Sequence, residues 1–333
     1  MPDRARPVLF RAAAGPCIGF GHLVRCRSLA RALGVAPIIS IRGTAATLEI
    51  AETAGWQLAG NAAAIVRALS PSVVVVDDPS AEHAAEWVRF ARAAGVPVAA
   101  VHDLGRGYVE SDLGIDGSIR PGRAMRGRFG DLKGPAFAML DPSVAAIRDG
   151  GGRQPEPGRV LVALGGGAEV CRLAERVVGA IAAVAPHADV RVAGGFTRLA
   201  RPRLAAGTWV EAPGGLAAEL ARASVAVVAG GMTLYEACAL GVPAVALSLN
   251  DAQHVTVREL ASRGAAVDAG APGYLAARTA EVAAAVAALL EDESERAALG
   301  EAGRRLVDGR GVFRVAARLR HLPGVEARAI DAA

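Results

Sequence analysis

The residues best placed to do chemistry are one histidine and two glycine-led turns. His22 lies in Ile18-Gly19-Phe20-Gly21-His22-Leu23-Val24-Arg25-Cys26, just after a short apolar run and at the start of an amphipathic pattern. An imidazole in that place can act as general base or acid near neutral pH, or it can cap its own helix. The second constellation is Gly230-Gly231-Met232-Thr233-Leu234-Tyr235-Glu236. Paired glycines let the backbone approach a phosphate with no Cβ in the way, and a helix opening there favours an anion. Thr233 and Glu236 have capping-box spacing, with Thr233 as the cap; alternatively, the Glu236 carboxylate accepts from the two hydroxyls of a ribose. Asn250, Asp251, Gln253 and His254 form a polar cluster that reads either as contacts to a sugar or as an ordinary loop capping the next helix.

The elements that must position these groups alternate as in an α/β protein. A first strand at Val8–Phe10 precedes the His22 loop and a helix over 23–33, and further strands are expected at 37–41, 73–77 and 96–101. Helical patterns cover 45–54 and 81–94. The run Val73-Val74-Val75-Val76 is short and β-branched, as in a central parallel strand, and delivers Asp77 and Asp78 to the carboxyl edge of the sheet. His102-Asp103 reaches a similar edge. The segment 149–158, rich in Gly and Pro, reads as a linker, after which Arg159–Leu164 and Gly165-Gly166-Gly167 restart the strand–glycine loop–helix order. The second series has a helix over 170–184, strands near 190–193, 208–210, 225–228 and 244–247, and closing helices over 280–290 and 293–306. The fold class expected is α/β with two Rossmann-like domains, 1–150 and 159–310, and a C-terminal helix in 311–333 that packs back on the first domain.

Several function classes fall away. Val24 stands where a dinucleotide fingerprint needs its third glycine, and neither glycine loop is followed by Lys-Ser/Thr, so no NAD(P) or P-loop site is expected. The four cysteines, Cys17, Cys26, Cys171 and Cys238, show no metal-ligand spacing. Net charge is only +4, and the basic run Arg120, Arg123, Arg126, Arg128 and Lys133 lacks the aromatic interleaving of a nucleic-acid surface. It reads as an electropositive loop or a solvated linker. The longest apolar stretch, 283–290, is far below the ~20 residues of a spanning helix, and the opening residues are polar. No cofactor, metal, nucleic-acid partner or stable membrane insertion is expected, and a reduced cytoplasmic setting is.

The motifs Ile-Gly-x-Gly-His-x-x-Arg-Cys-x-x-Leu-Ala at 18–30 and Gly-Gly-x-Thr-x-x-Glu-Ala at 230–237 together resemble the PseG/SpsG family of nucleotide-sugar hydrolases and spore-coat polysaccharide proteins. More distantly the chain is similar to MurG-type glycosyltransferases. The likeness extends through 134–140, 161–166 and 308–311. It implies a GT-B fold, with two Rossmann-like domains facing each other across a cleft. It also implies that UDP is held by Gly230, Gly231 and Thr233 at the diphosphate and by Glu236 at the ribose. His22 would take a proton from a water attacking the anomeric carbon, UDP leaving without a metal. Gly19, Gly21, Arg25, Asp77, Asn250 and Gln253 are assigned to the substrate. The chain departs from the family pattern at 165–169 and 250–253, where a sugar would be read, so the resemblance gives the reaction class and not the sugar. The alternatives on this fold are a glycosyltransferase in which His22 deprotonates an acceptor hydroxyl, and a non-catalytic protein that only binds a UDP- or other NDP-sugar.

Overall fold

Apolar, β-branched runs become the inner strands of two parallel sheets, as they must where helices cover both faces. The computed structural model describes residues 6–15, 18–45, 47–49, 56–58, 62–123, 125–165, 168–194, 204–212, 214–271, 278–323 and 325. Cys17, Gly166, Gly167 and residues 46 and 50–54 of the helix expected over 45–54 lie outside the described residues.

The first sheet contains β1 (Val8–Ala13), β2 (Ile38–Arg42), β3 (Gln57–Leu58), β4 (Val73–Asp77), β5 (Val98–Val101), β6 (Leu113–Asp116) and β7 (Asp131–Lys133). Their order is β3-β2-β1-β4-β5-β6-β7, and every pairing is parallel. The order reverses between β1 and β4. That crevice, outside the carboxyl ends of the strands, is where open α/β sheets hold ligands. Ala12 pairs with Asp77, so the loop into α1 (Gly21–Leu33) and the Asp77 carboxylate leave the sheet at the same place. Strand β7 falls inside the basic segment read as a loop or linker, and there Lys133 pairs with Asp131 at 3.3 Å.

The second sheet repeats the plan. It contains β8 (Arg159–Gly165), β9 (Asp189–Gly194), β10 (Thr208–Val210), β11 (Val225–Ala229), β12 (Ala244–Leu247) and β13 (Val267–Asp268). The order is β10-β9-β8-β11-β12-β13, again parallel throughout and again reversing between the opening strand and the fourth. The turn into α7 (Met232–Leu240) leaves β11 at that reversal, and α8 (Asp251–Ala261) follows β12, one strand along.

The chain divides into two units, 1–142 with 310–333, and 143–309. The division falls ahead of the segment read as a linker, at the start of α4 (Pro142–Asp149). That segment lacks apolar anchors, but it has polar ones within the second unit. The Glu156 N–H donates to the Arg222 carbonyl at 2.8 Å, and its carboxylate accepts from Arg159 and Arg222 at 2.6 Å each. In the first unit α11 (Gly311–Arg320) lies against α1, joining Val312, Val315, Ala316 and Leu319 to Leu23, Cys26, Leu29 and Leu33 in one core. Gly311 permits the approach, since a Cβ there would lie 2.3 Å from the Ala138 carbonyl oxygen.

Candidate functional site

Helix α1 opens on a glycine-shaped loop. Gly19 has φ +83°, which favours glycine, and its N–H donates to the Gly15 carbonyl at 2.7 Å. The residue before the helix is Phe20, and no side chain caps it. His22 is the second helical residue and therefore does not cap its own helix. Its Nδ1 lies 2.7 Å from Asp77 Oδ1 at the end of β4. Arg25, three residues along on the same helix face, donates from Nε to Asp77 Oδ2 at 2.9 Å and from Nη2 to Oδ1 at 2.8 Å. Its Nη1 reaches Asp103 Oδ2 at 3.3 Å. Arg25 thus faces carboxylates of the protein, where the sequence reading gave it to a substrate.

Asp77 is buried, at 1% exposure. Burial alone would push its carboxyl up; the Arg25 guanidinium and His22 outweigh that and hold it at about 2. Burial likewise opposes the charge of Arg25, but Asp77 and Asp103 raise its pKa. The pair is therefore ionised at neutral pH. His22 Nδ1 is also 2.8 Å from Arg25 Nη2, so one nitrogen faces both an acceptor and a donor, and only one of the two bonds can exist. Arg25 Nη2 already donates to Asp77, and the carboxylate is charged, so a protonated Nδ1 donating to Asp77 is the favoured arrangement. That tautomer leaves Nε2 with its lone pair. Asp78, the second carboxylate at this edge, is no spare acid: Arg42 grips it at 2.9 and 2.5 Å. His102 is buried beside Tyr108, with ring centroids 5.6 Å apart. Burial holds its pKa below the usual histidine range against the opposing charge of Asp116.

At the second reversal point the residue capping α7 is Gly231, with extended backbone and no side-chain cap bond. Thr233 therefore sits inside the first turn, and the Thr233–Glu236 capping box does not form. Gly231 N–H donates to Ala229 O at 2.8 Å and Leu234 N–H to Gly231 O at 3.1 Å. Among the described residues the first-turn amides of Met232 and Thr233 have no backbone acceptor, as expected of a helix start. They are the donors an anion would meet. The two glycines differ. A Cβ on Gly230 would lie 2.6 Å from Val257 Cγ2 and 2.9 Å from Gln253 O, so packing against α8 demands it. A Cβ on Gly231 would meet only Gln253 Nε2, at 3.9 Å. Glu236 is buried at 6% exposure in the same helix.

The polar cluster after β12 resolves largely into a helix cap. Asn250 Oδ1 accepts from Gln253 N–H at 3.0 Å, and Gln253 Oε1 accepts from Leu249 N–H at 2.9 Å. The cap occupies Asn250 and fixes the Gln253 amide so that its NH2 lies toward Gly231. His254 Nδ1 is 3.4 Å from Ser248 Oγ. Asp103 is the one residue of the His22 cluster that sequence reasoning did not assign; the tandem His102-Asp103 at a strand end was its only signal. Among the described residues no group of three His, Cys, Asp or Glu side chains is arranged to hold a metal ion, and no helix is long and apolar enough to cross a membrane.

No family model matches the chain. The spore coat polysaccharide biosynthesis protein SpsG of Bacillus subtilis (strain 168) is 30% identical over 218 residues, 63% of this chain and 63% of that protein. The match thus spans under two thirds of the relative's length. Among solved structures, the spinosyn rhamnosyltransferase SpnG complexed with thymidine diphosphate is similar over 95% of this chain and 99% of its own, at 18% identity and a TM-score of 0.64. MurG of Acinetobacter baumannii is similar over 94% of this chain and 99% of its own, at 16% identity and a TM-score of 0.59. With two parallel sheets of matching strand order and these likenesses, the chain has the two-domain α/β GT-B fold.

Proposed function

We propose that this chain acts on a nucleoside diphosphate sugar. In this reading His22 is the general base, water the nucleophile and the nucleoside diphosphate the leaving group, which makes the protein a nucleotide-sugar hydrolase. The observation that carries the reading is the His22–Asp77 contact of 2.7 Å at the reversal point of the first sheet. A carboxylate on Nδ1 fixes the ring and leaves Nε2 to take a proton from water as the oxygen–carbon bond forms at the anomeric centre. The bond from that carbon to the diphosphate oxygen breaks in the same displacement. Charge gathering on the leaving diphosphate would be met by the amides of Met232 and Thr233 and the positive end of α7. Glu236 would bind the ribose, with Gly230 and Gly231 shaping the approach. Arg25 is a positioning residue, acting through Asp77. Gly19 and Gly21 shape the substrate-facing loop, and Gln253, with its amide toward Gly231, contacts the sugar. The similarity to SpsG supports a place in polysaccharide biosynthesis. No metal or other cofactor enters this scheme.

The likeness to SpnG and MurG favours a second reading, a glycosyltransferase in which His22 deprotonates an acceptor hydroxyl. The SpnG complex holds thymidine diphosphate, so thymidine as well as uridine diphosphate sugars belong in the test. We expect a panel of such sugars to identify one that releases nucleoside diphosphate in water alone and in the presence of a chelator. His22→Ala would slow release by about 10²- to 10⁴-fold while nucleoside diphosphate affinity stays the same. Release that begins only when an acceptor is added would establish the transferase. A His22→Ala variant as fast as the parent would remove His22 from the chemistry.

A further inference from the structure

The C-terminal end of α7, opposite the turn proposed for the diphosphate, borders a pocket of about 320 Å³ lined by Arg153, Gly241, Arg296, Ala297, Gly300, Glu301 and Arg304. Three guanidinium groups converge on a space large enough for a small ligand. Among the described residues, two of them are anchored on one nitrogen only. Arg153 donates from Nη1 to the Ala223 carbonyl at 2.6 Å, and Arg296 from Nη1 to the Leu289 and Leu290 carbonyls at 2.6 and 2.7 Å. These bonds hold the planes in place, and Nη2 of each has no acceptor among the described residues. Arg304 lies over Gly241: a Cβ on that glycine would be 2.5 Å from Arg304 Nη1. Gly300 supports Gly241 from below, since a Cβ on Gly300 would be 2.5 Å from the Gly241 carbonyl oxygen. The floor of the pocket is thus backbone, and its walls are cationic.

The single carboxylate of the lining, Glu301, pairs with Arg305 outside the pocket at 2.5 Å. Among the described residues Arg153, Arg296 and Arg304 form no ion pair. Capping of helix C-termini accounts for the anchored nitrogen of Arg153 and of Arg296, but not for the gathering of three like charges. Burial, and then the charges of Arg304 and Arg296, bring Arg153 down to about 10, still protonated at neutral pH. Arg304 and Arg296 thus disfavour the charge on Arg153, and an anion bound among them would relieve that repulsion.

We propose that this pocket is a second anion site, separate from the nucleotide turn, which takes a small ligand bearing more than one phosphate group. Guanidinium forks match phosphate oxygens in pairs, and three fixed charges suit a multiply charged oxyanion better than a lone carboxylate. Inorganic pyrophosphate is the probe. Isothermal titration at constant ionic strength is expected to show saturable binding to the parent protein, accompanied by a rise in melting temperature. Arg304→Gln, whose side chain caps no carbonyl among the described residues, would weaken pyrophosphate binding by about tenfold and Arg304→Glu by more, with unchanged circular dichroism. Arg153→Gln provides the same test from the other wall. A parallel titration with UDP separates the sources of the phosphate. If Arg304→Glu removes only pyrophosphate binding, the site takes the inorganic anion; if it also removes a second equivalent of UDP, nucleotides enter it too. Either outcome supports a second site. Absence of pyrophosphate binding to the parent, or equal affinity in Arg304→Glu and Arg153→Gln, would overturn the proposal, whatever becomes of the hydrolase reading.

Discussion

Replacing Asp77 with Asn changes one atom and tests the whole His22 cluster. The carboxylate accepts two bonds from Arg25 and faces His22, all within 2.9 Å. Asn keeps the shape and removes the charge, leaving the Arg25 guanidinium buried against Asp103 alone at 3.3 Å. Breaking a buried ion pair from one side costs about 3–5 kcal/mol. Linkage gives a second magnitude. Asp77 sits at about 2 in the fold against an ordinary 3.8, a gap that corresponds to about 2.5 kcal/mol. The folded value is the lower one, so this stability is complete above about pH 4 and is lost as the pH falls through about 2. The variant has no such group and should lack that part of the acid loss. Trp56 and Trp87 are buried in the first unit. In a Trp209→Phe background their fluorescence reports urea unfolding of that unit alone. Asp77→Asn is expected to shift the midpoint down strongly near pH 7 and to flatten the stability profile below about pH 4. Its amide would also cease to dictate the His22 tautomer, so nucleoside diphosphate release should fall even where the variant is folded. A variant within about 1 kcal/mol of the parent at neutral pH, or one with an unchanged acid profile, would refute the reasoning.

The other predictions concern the second unit. Gly230→Ala should destabilise the protein by about 1–3 kcal/mol through its clash with Val257 and the Gln253 carbonyl, measured as a lower melting temperature. Gly231→Ala has room and should fold normally, but its methyl group stands where the proposed diphosphate would lie, so calorimetry should show nucleoside diphosphate affinity down by about tenfold. Asn250→Ala should cost about 1 kcal/mol as a lost helix cap, with the KM for the sugar nucleotide nearly unchanged. A large rise in KM at unaltered stability would instead assign Asn250 to the sugar.

Much of the fold was legible because burial writes a periodic signature. The β-branched run ending at Asp77 gave β4 at its observed bounds, and 208–210 and 244–247 gave β10 and β12 at theirs. Strands β3, β6 and β7 carried no such signal. β6 is Leu-Gly-Ile-Asp and β7 is Asp-Leu-Lys, extended because β5 and then β6 offer a free edge rather than because of their own composition. The helix cap at α7 was misplaced for a similar reason. Thr233 is the better capping residue by type, yet the path of β11 and the packing of Gly230 against α8 start the helix one residue after Gly231.

The sequence by itself determined the repeated strand–glycine loop–helix plan, the position of His22 at a loop-to-helix junction and the arrival of Asp77 at a sheet edge. The spacing of His22 and Arg25 even set them on one helix face. Only the tertiary structure decided that these three groups meet. Asp77 is 55 residues from His22 and 52 from Arg25, and the parallel pairing of β1 with β4 is what closes that distance. It also decided that Asn250 caps a helix and that Arg153 shares one pocket with Arg296 and Arg304, which lie far along the chain on a single helix. Periodicity is local because burial of one face is local. Charge partners are chosen by strand order, which no short window of residues contains.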